Sequence, residues 1–398
     1  MPYDFDRLID RRHTNAIKWD AYPPDVLPMW VADMDFAAPE PVLAALRAKV
    51  EHGVFGYEWA PKELLETVAN RMQKLYGWQV STDMVVAIPG IVSGFNVAAR
   101  IASQPGQGLL IQPPVYPPFL QVHQNTGLKL QIARLRQINN AETLCYEIDF
   151  EEFKAAMNAG NVRTAIFLLC QPHNPTGGIY TPQQLIRLAE ICLENGTLIC
   201  SDEIHSELLL GGAEFTPLAT LSPEIAQRTI TLVAPSKTFN VAGLFCGFAI
   251  IPNPELCKAF KQEVEHLTLH VSSLGLAAAQ AAFSGECEDW LKALLAYLTE
   301  NRDLLSSYIA LNMPDLRTTI PDATYLAWLD CNALVSSGRI STSPYKFFLK
   351  KARVALNDGA TFGPIGEGFV RFNFGCPRST MLQALERMKA ALDAIPSA

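Results

Sequence analysis

Between residues 84 and 251, short apolar runs recur at 84–88, 109–112, 128–133, 165–169, 198–201, 230–234 and 248–251. Each is bounded by Gly, Pro or polar turn residues, and most are separated by enough chain for a helix, as at 182–195. A strand that is apolar on both faces is stable only where both faces are covered, and a parallel neighbour needs a crossover long enough to hold a helix. The pattern therefore predicts an α/β fold, with a mostly parallel seven-stranded sheet sandwiched between helices. In such sheets ligands bind outside the carboxyl ends of the strands, so the residues that follow each run are the ones to inspect.

The flanks read differently. Residues 286–310 suit a long helix, with Trp290, Leu291, Leu294, Leu295 and Leu298 near helical spacing. Strands are expected at 323–329 and 369–374, and a closing helix at 379–394. The stretch before residue 48 is Pro-rich and irregular, with a helix starting near Pro39 and Glu40. A chain of 398 residues exceeds the size at which one core usually keeps growing. The expected division is a large domain at 49–284 and a smaller α+β unit formed by 1–48 together with 285–398.

Composition narrows the function classes. With 49% hydrophobic and 18% charged residues the chain is globular. Its 40 acidic residues outnumber 32 basic ones, and no long Lys/Arg run occurs, so neither nucleic acid nor an anionic membrane is an expected partner. Asp4, Asp6 and Asp10 stand where a secretion signal needs a basic and then an apolar region, and no stretch approaches the roughly 18 apolar residues of a membrane span. The nine cysteines form no CxxC pair, and Cys170, Cys200 and Cys246 sit inside apolar runs, which suits reduced thiols in the cytoplasm. No GxGxxG follows a strand, and GxxxxGK[ST], GxSxG and HExxH are absent. Glu263, His266 and His270 have a spacing that can share a helix face, but such residues are more often surface or packing groups, and no metal is expected.

Four features fall just after predicted strands. Gly90, Ile91 and Val92 follow 84–88 and open a helical run, as an anion-binding turn does. Asn174, in the run Asn174–Pro175–Thr176–Gly177, follows 165–169; Asp202 follows 198–201; Lys237, next to Ser236, follows 230–234. Taken singly, each has an ordinary explanation as a turn, a helix cap or a solvated lysine. Together at one sheet edge they are what pyridoxal 5′-phosphate (PLP) needs. Its aldehyde takes an amine, here Lys237, and its ring nitrogen stays protonated beside a carboxylate, here Asp202. Its ring oxygen takes an amide donor, here Asn174, and its phosphate takes backbone N–H groups at a helix start.

These stretches, with Ser201–Asp202–Glu203–Ile204–His205 and Ser236–Lys237–Thr238–Phe239–Asn240, resemble the signatures of fold-type I PLP enzymes of the class I/II aminotransferase superfamily. Three further segments, at 27–36, 52–57 and 370–378, resemble its carbon–sulfur β-lyase branch, the cystathionine β-lyases of MalY and PatB type. The resemblance implies an aspartate-aminotransferase-like fold with a large PLP-binding domain. It implies that Lys237 carries the cofactor and shuttles protons, that Asp202 pairs with the ring nitrogen, and that Asn174 and His205 meet the ring oxygen. Tyr116 would stack on the ring and Arg371 would clamp the substrate α-carboxylate, with Arg378 as its substitute. Tyr57 would reach the phosphate of a neighbouring subunit, which makes a homodimer with shared active sites the expected assembly. Two positions depart from the wider superfamily: Ala234 stands where a phosphate-binding serine is usual, and Phe245 where an arginine is usual. Ser236, Tyr57 and backbone N–H groups are the expected replacements.

The implied reaction is α,β-elimination from a sulfur-containing L-amino acid, giving a thiol, pyruvate and ammonia. The same residues also serve transamination, so an aminotransferase is the alternative. A regulatory protein on the same fold is the alternative from another class, although such a protein is expected to lose Lys237 or Asp202.

Overall fold

The computed structural model of the chain describes residues 3–139 and 143–395. The outermost residues of the expected small unit, 1–2 and 396–398, lie outside the described residues. In chain order the strands among the described residues are β1 (Leu27–Pro28), β2 (Val85–Ile88), β3 (Gly108–Ile111), β4 (Lys129–Ile132), β5 (Leu135–Asn139), β6 (Leu144–Ile148), β7 (Thr164–Cys170), β8 (Leu198–Asp202), β9 (Thr229–Val233), β10 (Gly247–Ile250), β11 (Arg317–Thr318), β12 (Leu326–Asp330), β13 (Val354–Ala355), β14 (Asn357–Asp358) and β15 (Phe369–Asn373).

The seven apolar runs are the seven strands of one sheet, in the order β2-β10-β9-β8-β7-β3-β4. Pairing is parallel from β9 through β4, whereas β10 runs antiparallel to both β2 and β9. Strands β3, β8, β9 and β10 are buried at every position, as expected of a sheet covered on both faces. On one face lie the helices Ile91–Ala102 and Pro254–His266, sharing a core with Ile88, Leu109, Ile166, Cys200 and Leu232. On the other lie Phe150–Met157 and Pro182–Glu194, packed on Leu110, Phe167, Leu169 and Ile199. Local sequence starts these helices. Thr181 and Gln184 form a reciprocal capping box before Pro182–Glu194, and the Asn253 side chain accepts from two N–H groups of Pro254–His266.

The expected long helix is Glu288–Asn312 and the closing one Arg378–Asp393. They pack beside a four-stranded antiparallel sheet, β11-β12-β15-β14. The irregular N-terminal stretch is joined to this unit by parallel pairing of Leu27 with Val354 and Pro28 with Ala355. Among the elements that were not foreseen are two with a clear physical reason. One is the antiparallel hairpin β5-β6, whose alternating polar residues, such as the paired Arg136 and Glu147, resemble loop. The other is the short β13–β14 segment, too brief to carry a period. Glu263 and His266 share the helix Pro254–His266, but His270 lies beyond its end and Glu263 pairs with Arg100, so the three do not share a helix face.

Candidate active site

Strands β7, β8 and β9 are adjacent and parallel, with Cys170 in register with Asp202 and Asp202 with Leu232. Their carboxyl ends therefore open on one side, where Asp202, the last residue of β8, meets Asn174 and Lys237 from the segments that follow β7 and β9. Of the expected residues, Gly90, Ile91, Val92, Tyr116, Asn174, Asp202, His205, Ser236 and Lys237 line a cavity of about 420 Å³. Gly90 adopts φ 138°, a conformation that side-chain-bearing residues rarely adopt, and no side chain caps the helix that begins at Ile91. Its first N–H groups are thus left for a ligand.

The Lys237 Nζ donates to the carbonyl of Ala32 at 2.6 Å. Burial, then the charge of Arg371, draws its pKa down to about 8, against the opposing pull of Asp33 and Asp202. Asp202 is pushed up to about 7 because burial outweighs both the Ile204 N–H that donates to its Oδ1 at 3.2 Å and the nearby Lys237 charge. His205 is held well below the ordinary histidine value by burial and by the two cations Lys237 and Arg371, so its ring is neutral. Its Nδ1 is buried and has no partner in the protein. Burial and the Asp202 charge raise the Tyr116 hydroxyl.

Arg371, buried on β15, stands behind the lining. Its Nη1 donates to Asn174 Oδ1 at 2.9 Å, and its Nη2 to the Trp30 carbonyl at 2.9 Å and to Asn357 Oδ1 at 2.6 Å. The guanidinium sits 5.1 Å from the ring centroid of Phe362. Arg378 is placed elsewhere: it pairs with Glu300 and lies over Tyr297. Tyr57 is fully exposed in the single chain and lines a separate depression with Phe55, Trp59 and His270. Ala234 is buried, and Phe245, at φ 50°, lines the cavity mouth. Among the described residues that line the cavity, Lys237 is the sole Lys or Arg.

Sequence reasoning passed over three contributors. Ser93 also lines the cavity, and its place in the first turn after Gly90 was the available signal. The Ala32 carbonyl belongs to a main chain that any residue could supply. Tyr325, whose hydroxyl donates to that same carbonyl at 2.9 Å, precedes β12 and carries no local signal.

A sheet-edge cavity with a half-buried lysine and a buried aspartate and asparagine at the ends of successive parallel strands defines the class of fold-type I PLP proteins. A family model described as Aminotransferase class I and II matches residues 25–388. Cystathionine beta-lyase PatB of Bacillus subtilis (strain 168) is 37% identical over 395 residues, 98% of this chain and 100% of that protein. The crystal structure of OvoB has a TM-score of 0.91 and 38% identity, covering 98% of this chain and 100% of that one. The PLP-bound C-S lyase from Staphylococcus hominis has a TM-score of 0.91 and 34% identity, covering 98% and 99%. The chain belongs to the class I and II aminotransferase family, in its MalY/PatB-type cystathionine β-lyase branch.

Proposed function

We propose that this chain is a PLP-dependent carbon–sulfur β-lyase. It cleaves L-cystathionine, L-cysteine or S-substituted cysteines to a thiol (homocysteine or sulfide among them), pyruvate and ammonia. The observation that carries the reading is the Lys237 amine, which lines one cavity with Asp202 and is drawn down to about pKa 8. The cavity fits the cofactor: it offers an amine, a carboxyl group, an uncapped helix start and, at His205 Nδ1, a buried ring nitrogen without a partner. When bound, PLP supplies an aldehyde that condenses with amines and a ring that accepts the electron pair left at Cα.

The chain's own residues do the rest. Near neutral pH enough of the Lys237 amine is neutral to take the Cα proton, and the resulting ammonium protonates the departing sulfur. Asp202 holds the proton on the ring nitrogen, because a buried carboxyl group is drawn back to its charged form by an adjoining cation. Arg371 occupies the Asn174 oxygen, which turns the Asn174 Nδ2 towards donation. Of the five N–H groups on Arg371, three are engaged, and its Nε has no partner. These two free N–H groups, on Nε and Nη1, point apart, so a substrate carboxylate would take one of them and gain a second bond only by displacing an acceptor from Nη2.

Elimination rather than transamination is supported by the names of the relatives, cystathionine beta-lyase and C-S lyase, and by Ala234 and Phe245 at the two departures. The reading includes a twofold dimer in which Tyr57 completes the partner's site, supported by exposed Val54, Phe55, Tyr57 and Trp59. It also includes a cytoplasmic setting, supported by nine cysteines that are all free thiols. The test is an assay of thiol, pyruvate and ammonia from L-cystathionine, with and without 2-oxoglutarate. Equal pyruvate and thiol without the acceptor support the lyase. Turnover that requires the acceptor, forms glutamate and releases no thiol overturns it in favour of an aminotransferase.

A further inference from the structure

The irregular stretch from Trp30 to Phe36 has two sets of carbonyls. Those of Val31, Asp33, Met34 and Phe36 are held by side chains that do not line the cavity. Asn373 Nδ2 donates to Val31 and Asp33, and Asn240 Nδ2 donates to Met34 and Phe36. Lys18 Nζ donates to Asp33 at 3.2 Å and Arg11 Nη1 to Met34 at 3.2 Å. The carbonyls of Trp30 and Ala32 face the site instead, the first accepting from Arg371 and the second from Lys237 and Tyr325.

The N-terminal side of this clamp is ionic. Asp35, only 3% exposed, accepts from Lys18 Nζ at 2.8 Å, Arg11 Nη1 at 2.6 Å and Trp19 Nε1 at 2.8 Å. Lys18 is itself 1% exposed, and Arg11 also forks onto Asp33. Replacing a buried ion pair by apolar groups of similar volume is often neutral or stabilising, so stability alone does not account for this one. What the pair does achieve is positional. With Arg11 it fixes the chain one to three residues beyond the Ala32 carbonyl, in a segment with no strand or helix to hold it.

The geometry points to Lys18 and Asp35, assisted by Arg11, as positioning residues that set the Ala32 and Trp30 carbonyls against the Lys237 amine and the Arg371 guanidinium. They touch neither substrate nor cofactor; they act through the main chain. This rests on the proposed role of Lys237 as the base, whichever of the two reactions follows. The charged groups facing Lys237 are Arg371, Asp33 and Asp202, and the titratable His205, Tyr116 and Tyr325 surround the same cavity. Of these only Asp33 meets Lys18, whose Nζ lies 3.6 Å from its Oδ1; losing that cation strengthens the pull of Asp33 and raises the Lys237 pKa, the opposite sign to loss of the Ala32 carbonyl.

The test compares holoenzyme of wild type, Lys18→Met and Lys18→Arg, with Arg11→Gln as a variant at a partly exposed position. Cofactor content, thermal midpoint and the pH profile of kcat are measured for each. Withdrawing the Ala32 carbonyl removes an acceptor that favours the ammonium form, so the acid limb of kcat moves to lower pH in Lys18→Met. In the same variant kcat/KM falls about 10- to 100-fold, the scale of an ångström-sized misplacement. Lys18→Arg recovers part of both, and Arg11→Gln moves both in the same direction by less. A lowered thermal midpoint with the limb and kcat/KM unchanged in Lys18→Met overturns the proposal, and so does a limb moved to higher pH, the sign of an uncompensated Asp33 charge. If Lys18→Met does not fold, an unmoved limb and kcat/KM in Arg11→Gln overturn it equally. Failure of the lyase reading looks different: wild type then transaminates, and the limb shift is read in that reaction.

Discussion

Arg371 and Asn174 are joined side chain to side chain at 2.9 Å across 197 residues of sequence. One stands on β15 of the small sheet and the other in the turn after β7 of the large one. The contact ties the group suited to a substrate carboxylate to the group suited to the cofactor ring oxygen. Arg371→Lys keeps the charge but loses the fork, and leaves Asn174 Oδ1 and Asn357 Oδ1 without their donor. We expect KM to rise about 10- to 100-fold, the worth of one or two charge-assisted hydrogen bonds, with cofactor content retained. Steady-state kinetics on L-cystathionine check this, and an unchanged KM removes Arg371 from substrate binding.

Lys237 is expected to carry the cofactor covalently. Borohydride reduction of the holoenzyme followed by peptide mass analysis should find the pyridoxyl group on Lys237. Lys237→Ala should still take up PLP without a covalent link and lose turnover by about 10²-fold or more. An adduct on any other lysine refutes the assignment.

Asp202→Asn keeps the shape but not the charge. The fold should persist, since the Ile204 N–H still finds an acceptor at position 202. Turnover should fall about 10²-fold or more at saturating PLP. Near-normal turnover sinks the role at the ring nitrogen.

Glu203 gives a pH prediction apart from catalysis. Burial raises its pKa from 4.5 to about 8, although the Leu218 N–H and the Ser201 hydroxyl favour the charged form. The folded state then binds more protons than the unfolded one between those values, so this group's contribution falls as pH rises through that window. Glu203→Gln keeps the acceptor for both donors and has no charge to bury. Its unfolding midpoint in urea should match wild type near pH 4.5 and exceed it above pH 8. A constant difference across that range contradicts the assignment.

Tyr57 tests the assembly. Inactive Tyr57→Ala and Lys237→Ala proteins, mixed and allowed to exchange subunits, should regain activity, because one mixed site receives both intact residues. No recovery, with exchange verified by light scattering of tagged subunits, rejects the shared site.

The seven central strands and the residues at their ends were legible because both signals are local. An apolar run between turn residues marks a buried strand, and in a parallel sheet the next few residues fall at the ligand-binding edge. Gly90, Asn174, Asp202 and Lys237 follow from that rule without any contact being known. The antiparallel setting of β10, the β5-β6 hairpin and the departure of His270 from its helix did not follow, since direction and pairing depend on segments distant in sequence. The same limit applies inside the site. Tyr325 and Lys237 share the Ala32 carbonyl, and Lys18 and Arg11 steady the backbone around it. Sequence by itself determined which chemical groups the sheet edge would carry. Tertiary structure decided what holds them in place, because those partners are main-chain atoms and distant side chains that meet only when the N-terminal stretch and the small sheet pack against the large one.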